Sequence, residues 1–145
     1  MATQQAIADH LVAAALATEG ADVTMGPGRG RLACAWAVNR FVLQPVLGQA
    51  VGQNPNLVVS VRAGLLRGKA DEVPAHQARP GDIAIAAGPG RSQHIGVVVP
   101  ARKGKGVAVL STQGGRWGWR SDLNFAMRYR VPSRIYRVRE TSRSG

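Results

Sequence analysis

The sequence has few acidic residues and a single cysteine. Because Cys34 is the one cysteine among 145 residues, no disulfide can form within the chain, which excludes a disulfide-stapled mini-protein. Aspartate and glutamate number 8 against 19 lysines and arginines, so the net charge is +11 at pH 7. This charge favours binding to polyanions such as nucleic acid, anionic glycan or an acidic membrane surface, and it carries no information about fold.

Long apolar runs, clustered metal ligands and phosphate-binding motifs are also missing. No run approaches the ~18 apolar residues of a transmembrane helix, so we expect no membrane span. Three scattered histidines and one cysteine do not form a zinc pattern, and we expect neither a metal nor a cofactor. The glycine-rich segment 26–30 is followed by Arg31 and Leu32 rather than by lysine and a hydroxyl residue, which argues against a P-loop.

Apolar residues make up 45% of the chain, enough for a core, and their pattern changes halfway along it. The first half has helical spacing and good helix formers, whereas short apolar runs between glycine and proline turns fill the second. We predict helices at 4–18, 32–45 and 54–66, then strands at 83–86, 94–99, 107–110 and 134–138. The alternative for residues 57–59 is a strand. The order predicts one α+β domain over residues 1–140, with N-terminal helices packed on a small antiparallel sheet, and a disordered tail at 141–145.

The position of Cys34 indicates nucleophilic chemistry. It follows the glycine-rich loop and begins the second predicted helix. A helix N-terminus concentrates positive potential and unpaired N–H donors, which favour a thiolate and can hold an oxyanion. The alternative is a small buried apolar residue among Ala33, Ala35 and Ala37.

His94 is the histidine best placed to act with Cys34, because it opens the strand 94–99 at the edge of a rigid element. A Cys–His pair needs a third group to orient the imidazole. If the next strand pairs antiparallel with the His94 strand, its end returns toward His94. Gln113 is then the first candidate and Ser111, on the same face, the second. The alternative is that these are strand-end residues with local hydrogen bonds.

Two tryptophans are candidate substrate-binding residues. Trp36 comes two residues after Cys34, and Trp117 lies in the segment Arg116-Trp117-Gly118-Trp119-Arg120. Tryptophans flanked by arginines on a glycine-containing loop can stack on sugars or bases. The alternative is that a tryptophan fills the core and the arginines are solvated.

Three segments together resemble a known family: Leu32-Ala33-Cys34-Ala35-Trp36-Ala37-Val38-Asn39, Pro80-Gly81-Asp82-Ile83 and Gln93-His94-Ile95-Gly96-Val97-Val98. They are similar to the NlpC-type and CHAP-type cysteine peptidases of bacterial cell walls, over roughly residues 30 to 115. The resemblance implies a papain-like α+β fold in which Cys34 is the nucleophile, His94 the general base and Gln113 the orienting residue. It implies that Asp82 holds a hairpin turn. It also implies that the substrate is peptidoglycan, an anionic wall polymer, cleaved at an amide bond of the stem peptide or cross-link.

The chain departs from the family at Ala33, where a polar residue usually precedes the cysteine, so backbone N–H groups alone would form the oxyanion hole. Two alternatives stay open: a basic nucleic-acid-binding module that needs neither Cys34 nor His94, and a papain-like acyltransferase that uses the same pair. The stretch 11–17 lacks the basic segment of a secretory signal. We therefore expect a chain that reaches the cell wall or periplasm by another delivery route and otherwise stays in the cytoplasm. The oligomeric state is not predicted.

Overall fold

The computed structural model describes residues 3–30, 32–87, 93–123 and 133–140, which form helices packed on an antiparallel sheet. The helices are α1 (Gln4–Ala17), α2 (Cys34–Val38), α3 (Gln44–Leu47) and α4 (Val58–Leu66). A π-helical turn, Asn39–Leu43, joins α2 to α3, and 3₁₀ turns lie at Pro27–Gly30 and Ala75–Gln77. The strands are β1 (Ala21–Asp22), β2 (Ala70–Val73), β3 (Ile83–Ala87), β4 (Gln93–Pro100), β5 (Val107–Gln113), β6 (Arg116–Ser121) and β7 (Arg134–Val138).

The seven strands form one sheet in the order β1-β6-β5-β4-β3-β7-β2, and each neighbouring pair is antiparallel. β4 therefore lies at the centre of the sheet. On one side Ala86 of β3 pairs with His94, and on the other Leu110 of β5 pairs with Val97. The predicted antiparallel pairing of β4 with β5 is confirmed, and it brings the end of β5 back toward the start of β4.

The main core lies between the helices and one face of the sheet. Ile7 and Leu11 of α1 are fully buried there, and alternate β4 residues, Ile95 and Val97, point to the same side. A smaller apolar cluster covers the opposite face: Ala84, Ala86, Val98, Val109 and Ile135. The predicted α+β class, with helices on an antiparallel sheet, is confirmed. The papain-like fold is a narrower claim and stays a prediction.

The second helical stretch continues past the residue where we expected it to end. The sequence predicts that Pro45 breaks the helix, but helical backbone runs on to Leu47. In the π turn, the N–H of Gln44 bonds to the carbonyl of Asn39, five residues back, which shifts the hydrogen-bond register ahead of the proline. Pro45 then stands in the first turn of α3, where its missing N–H needs no partner.

The third helix is confirmed but begins later than predicted. The sequence indicates Asn54 as its N-cap, whereas α4 begins at Val58. The Asn54 side chain instead accepts a hydrogen bond from the N–H of Asn56 at 3.1 Å, which makes a local turn.

Two strands lie where the sequence indicated loops. β6 contains the arginine–tryptophan segment, and β2 contains Asp71 and Glu72, residue types that are depleted in strands. At the sheet edge Glu72 pairs with Arg134 of β7, and Asp71 pairs with Arg139, the residue that follows β7, which offsets this poor strand propensity. The predicted turn at 88–91 and the predicted tail at 141–145 lie outside the described residues.

Within the four described ranges, no helix combines the length and the apolar character that crossing a bilayer requires.

Candidate active site

Cys34 is the first residue of α2 and is half-buried against the main core. Burial raises the pKa of the Cys34 thiol, although the backbone N–H groups of Ala35, Ile95 and Cys34 itself oppose this by hydrogen-bonding to the sulfur. The helix start thus supplies the donors that the sequence indicated, but desolvation outweighs them. Burial of Cys34 therefore opposes the thiolate that its place at the helix start would favour.

His94 lies near the start of β4, with 8% of its surface exposed. Its Nε2 atom lies 3.0 Å from Oγ of Ser111, a fully buried residue of β5. The indole ring of Trp119 packs on it, with the ring centroids 6.0 Å apart. The hydrogen bond to Ser111 and the contact with Trp119 both constrain the orientation of the imidazole.

The two candidate orienting residues differ in their positions on β5. Ser111 lies at hydrogen-bonding distance from the imidazole, whereas the side chain of Gln113 is exposed at the end of the strand. A bulge between Ser111 and Thr112 interrupts the pairing with β6 at this point. The structure therefore supports the second candidate, Ser111, as the residue that holds His94.

Gly96 makes the contact between His94 and Ser111 possible. A Cβ at position 96 would lie 2.6 Å from the carbonyl oxygen of Leu110 and 3.1 Å from the Cβ of Ser111. Because both distances are too short for a side chain, only glycine lets β4 and β5 approach this closely beside His94.

Cys34 and His94 line the same cleft, which has a volume of about 650 Å³. Alternation along β4 directs His94 to the sheet face of Val98, while the neighbouring Ile95 faces the helices and Cys34. The cleft lies where β4 begins, so it reaches both residues. Its remaining lining residues are Thr24, Arg29, Gly30, Leu32, Asn56, Leu57, Val58, Gln93, Thr112, Gln113, Gly114 and Gly115.

The two tryptophans do not line this cleft. Trp117 is fully buried, and its indole N–H points at the carbonyl of Ala15 at 3.4 Å, so it fills the core rather than meeting substrate. Trp36 is half-buried, packs edge-on against Phe41 and carries the Arg40 guanidinium over its ring. The prediction that Trp117 binds substrate is therefore corrected, because its indole is enclosed by apolar side chains.

Asp82 holds the turn before β3, as the sequence resemblance implied. Its buried carboxylate accepts two hydrogen bonds from the Arg137 guanidinium, at 3.0 and 2.9 Å, and one from the N–H of Arg79. These contacts lie away from the cleft and are structural.

Asn39 is a buried polar residue whose role sequence reasoning missed. Its Oδ1 accepts the N–H of Val51 at 2.7 Å, and its Nδ2 donates to the carbonyls of Val51 and Pro55 at 3.2 and 2.9 Å. One side chain thus fixes the loop that leads to Asn56 and Leu57 on the cleft rim. A polar residue among apolar helix positions was the available signal.

Within the described residues, no group of three or more histidine, cysteine, aspartate or glutamate side chains could hold a metal ion. Comparison of the chain with protein-family models, with curated proteins and with solved structures finds no match. The assignment of function therefore depends on the chemistry of the cleft and on the sequence segments that resemble a known family.

Proposed function

We propose that this chain is a papain-like cysteine hydrolase that cleaves an amide bond of bacterial peptidoglycan, in the stem peptide or its cross-link. The observation that carries the proposal is that Cys34 and His94 come from separate elements to line one cleft, where Ser111 orients the imidazole. The cleft volume suits a short peptide segment. The segments similar to NlpC-type and CHAP-type peptidases support the same assignment.

In the proposed reaction, His94 takes the proton of the Cys34 thiol, through a water in the cleft that both residues line, as the sulfur attacks the amide carbonyl carbon. This step requires the tautomer in which Nε2–H donates to Oγ of Ser111, so that Nδ1 accepts the proton. The tetrahedral intermediate then breaks its C–N bond, and the amine leaves with the proton from the imidazolium. A thioester remains. Water, deprotonated by His94, attacks this thioester, the C–S bond breaks, and the thiol is restored with a carboxylic acid as product.

The negative charge of the tetrahedral intermediate is assigned to backbone N–H donors at the start of α2. Ala33 makes no side-chain capping bond there and has no polar group to contribute. The N–H groups of Cys34 and Ala35 have no intrahelical partner and point to the Cys34 sulfur, so they lie where an oxyanion would form as the sulfur bonds to the carbonyl carbon.

The surface charge supports an anionic polymer as substrate. Among the described residues, five arginines form ion pairs with carboxylates: Arg102, Arg120, Arg134, Arg137 and Arg139. Since the chain has 19 basic residues and 8 acidic ones, most of its positive charge is left to attract a polyanion. We propose that the enzyme acts at the cell wall or periplasm after delivery and is otherwise cytoplasmic.

The proposal is tested by incubating purified protein with peptidoglycan and measuring the released fragments by mass spectrometry. Cys34→Ala and His94→Ala should each lower the rate of release by roughly 10²-fold or more, and the double variant should be no slower, because the two residues act as a unit. His76→Ala, at an exposed histidine outside the cleft, is the matched control. Release by the folded Cys34→Ala variant at the rate of the unaltered chain would overturn the proposal.

The same assay separates the alternatives. An acyltransferase would give products whose mass includes an added amine acceptor, and these would also disappear with Cys34→Ala. A nucleic-acid-binding module would release nothing, and would bind oligonucleotides with a steep salt dependence that Cys34→Ala leaves unchanged.

A further inference from the structure

The cleft that Cys34 and His94 line also contains one arginine, Arg29. Its side chain is exposed, and it forms no ion pair with any residue in the four described ranges. In that same part of the chain, no aspartate or glutamate is among the residues that line the cleft. The cleft therefore presents a guanidinium whose charge no adjacent acid neutralises.

The backbone at Arg29 indicates that this side chain has a function. Its φ and ψ angles are 57° and 37°, and it is the one non-glycine residue in the described ranges with positive φ. Its neighbours Gly28 and Gly30 are also left-handed, with φ of 64° and 94°. Glycine adopts this conformation without strain, whereas arginine does not, so an arginine here is retained at a conformational cost.

The turn that carries Arg29 is fixed against the sheet. The N–H of Gly26 bonds to the carbonyl of Val23 at 2.8 Å. A Cβ at Gly30 would lie 3.2 Å from that carbonyl oxygen and 3.3 Å from the Cα of Gly115, so the turn and the β5–β6 hairpin are in close contact. Packed backbone therefore fixes the point from which the Arg29 side chain enters the cleft.

We propose that Arg29 binds a free carboxylate of the peptide substrate beside the amide that Cys34 attacks, and so selects acidic stem peptides over their amidated forms. The planar guanidinium matches a carboxylate through two parallel hydrogen bonds, which a primary amide cannot accept in the same way. This inference rests on the proposed hydrolase function.

The test uses two synthetic stem peptides that differ at one group: the α-carboxylate of the glutamyl residue is free in one and amidated in the other. Arg29→Gly removes the guanidinium while keeping the left-handed backbone, and Arg29→Lys keeps the charge without the planar fork. Arg67→Gln, at an exposed arginine that does not line the cleft, removes one charge elsewhere. The kcat and KM values are measured for both peptides, and binding is measured by calorimetry in the Cys34→Ala background.

We expect the unaltered chain to prefer the acidic peptide, and Arg29→Gly to raise its KM roughly 10- to 100-fold with little change in kcat, as for loss of one charge-assisted hydrogen-bonded contact. The kcat and KM of Arg29→Gly for the amidated peptide should stay within about twofold of those of the unaltered chain for that peptide. The kcat and KM of Arg67→Gln should stay within about twofold of those of the unaltered chain for both peptides. Cleavage of both peptides that is insensitive to Arg29→Gly would overturn this inference and leave the hydrolase intact. If neither peptide is cleaved, but the chain binds the acidic peptide and Arg29→Gly abolishes that binding, the hydrolase proposal is overturned and the carboxylate-binding site is supported. If the acidic peptide neither binds nor is cleaved, the carboxylate site is refuted.

Discussion

Replacing Asn39 by alanine should destabilise the domain and loosen the cleft wall. The side chain makes three hydrogen bonds to the backbone of Val51 and Pro55, and only 3% of the residue's surface is exposed. After the substitution the N–H of Val51 and two carbonyls lose their partners. A buried backbone group left unsatisfied costs about 1–3 kcal/mol, and the Pro55 carbonyl is only partly buried, so the two buried Val51 groups alone give an expected loss of at least about 2 kcal/mol in the free energy of unfolding.

The assay is chemical and thermal unfolding of the purified chain. For a domain of this length, such a loss corresponds to a fall in Tm of roughly 5–15 °C. Asn54→Ala is the matched control, because it makes the same change in the loop that Asn39 holds, at an exposed side chain that accepts one bond from the N–H of Asn56. We expect that control to cost less than about 1 kcal/mol.

A second variant separates hydrogen bonding from packing. Asn39→Asp keeps the size of the side chain and the oxygen that accepts from Val51. It replaces the NH₂ group by a carboxylate oxygen, which then faces the carbonyl oxygens of Val51 and Pro55. The folded state then favours the protonated acid, so its pKa is raised above the unfolded value, and stability falls as pH rises from about 4 to 7. Equal stabilities for Asn39→Ala and Asn54→Ala, together with a pH-independent Asn39→Asp, would refute the reasoning.

Two further predictions concern the catalytic pair. Ser111→Ala should lower kcat about 10-fold and shift the pH–rate profile, because a hydrogen bond that orients His94 is lost. Gln113→Ala should lower kcat less. Equal effects of the two changes would contradict the assignment of Ser111. Because burial raises the pKa of the Cys34 thiol, iodoacetamide should label the folded chain at pH 6 more slowly than free cysteine, and labelling should accelerate as pH rises. Labelling at pH 6 that is faster than that of free cysteine would show a preformed thiolate and contradict this.

Periodicity and turn residues were enough to predict the helices and the central strands. The apolar positions of α1 and the valine run of β4 are buried as their spacing indicates. Pro45 was misjudged because a π turn changes the hydrogen-bond register before it, and a π turn has no sequence signature that we could use. β6 was missed because glycine and arginines obscure its alternation, while long-range pairing with β5 supplies its stability.

The candidate site was predicted in its principal members but not in its details. Cys34 and His94 line one cleft. The sequence indicated this by placing Cys34 at the start of a helix and His94 at the start of a strand. Ser111 ranked below Gln113 because alternation put both on one face, and the sequence does not show which of the two the pairing of β4 with β5 brings to His94. Trp117 was misplaced because residue type alone does not separate a stacking tryptophan from a core tryptophan.

The raised pKa of Cys34 changes how the proposed reaction begins. A helix start and a nearby histidine indicated a thiolate–imidazolium pair in the resting protein, but burial penalises that separation of charge. The hydroxyl of Ser111, which orients His94, is neutral and stabilises an imidazolium less than a carboxylate would. Under the proposed function, the Cys34 thiol is therefore protonated at rest, and His94 removes its proton as the sulfur attacks the carbonyl. This is general-base catalysis, which needs no standing population of thiolate.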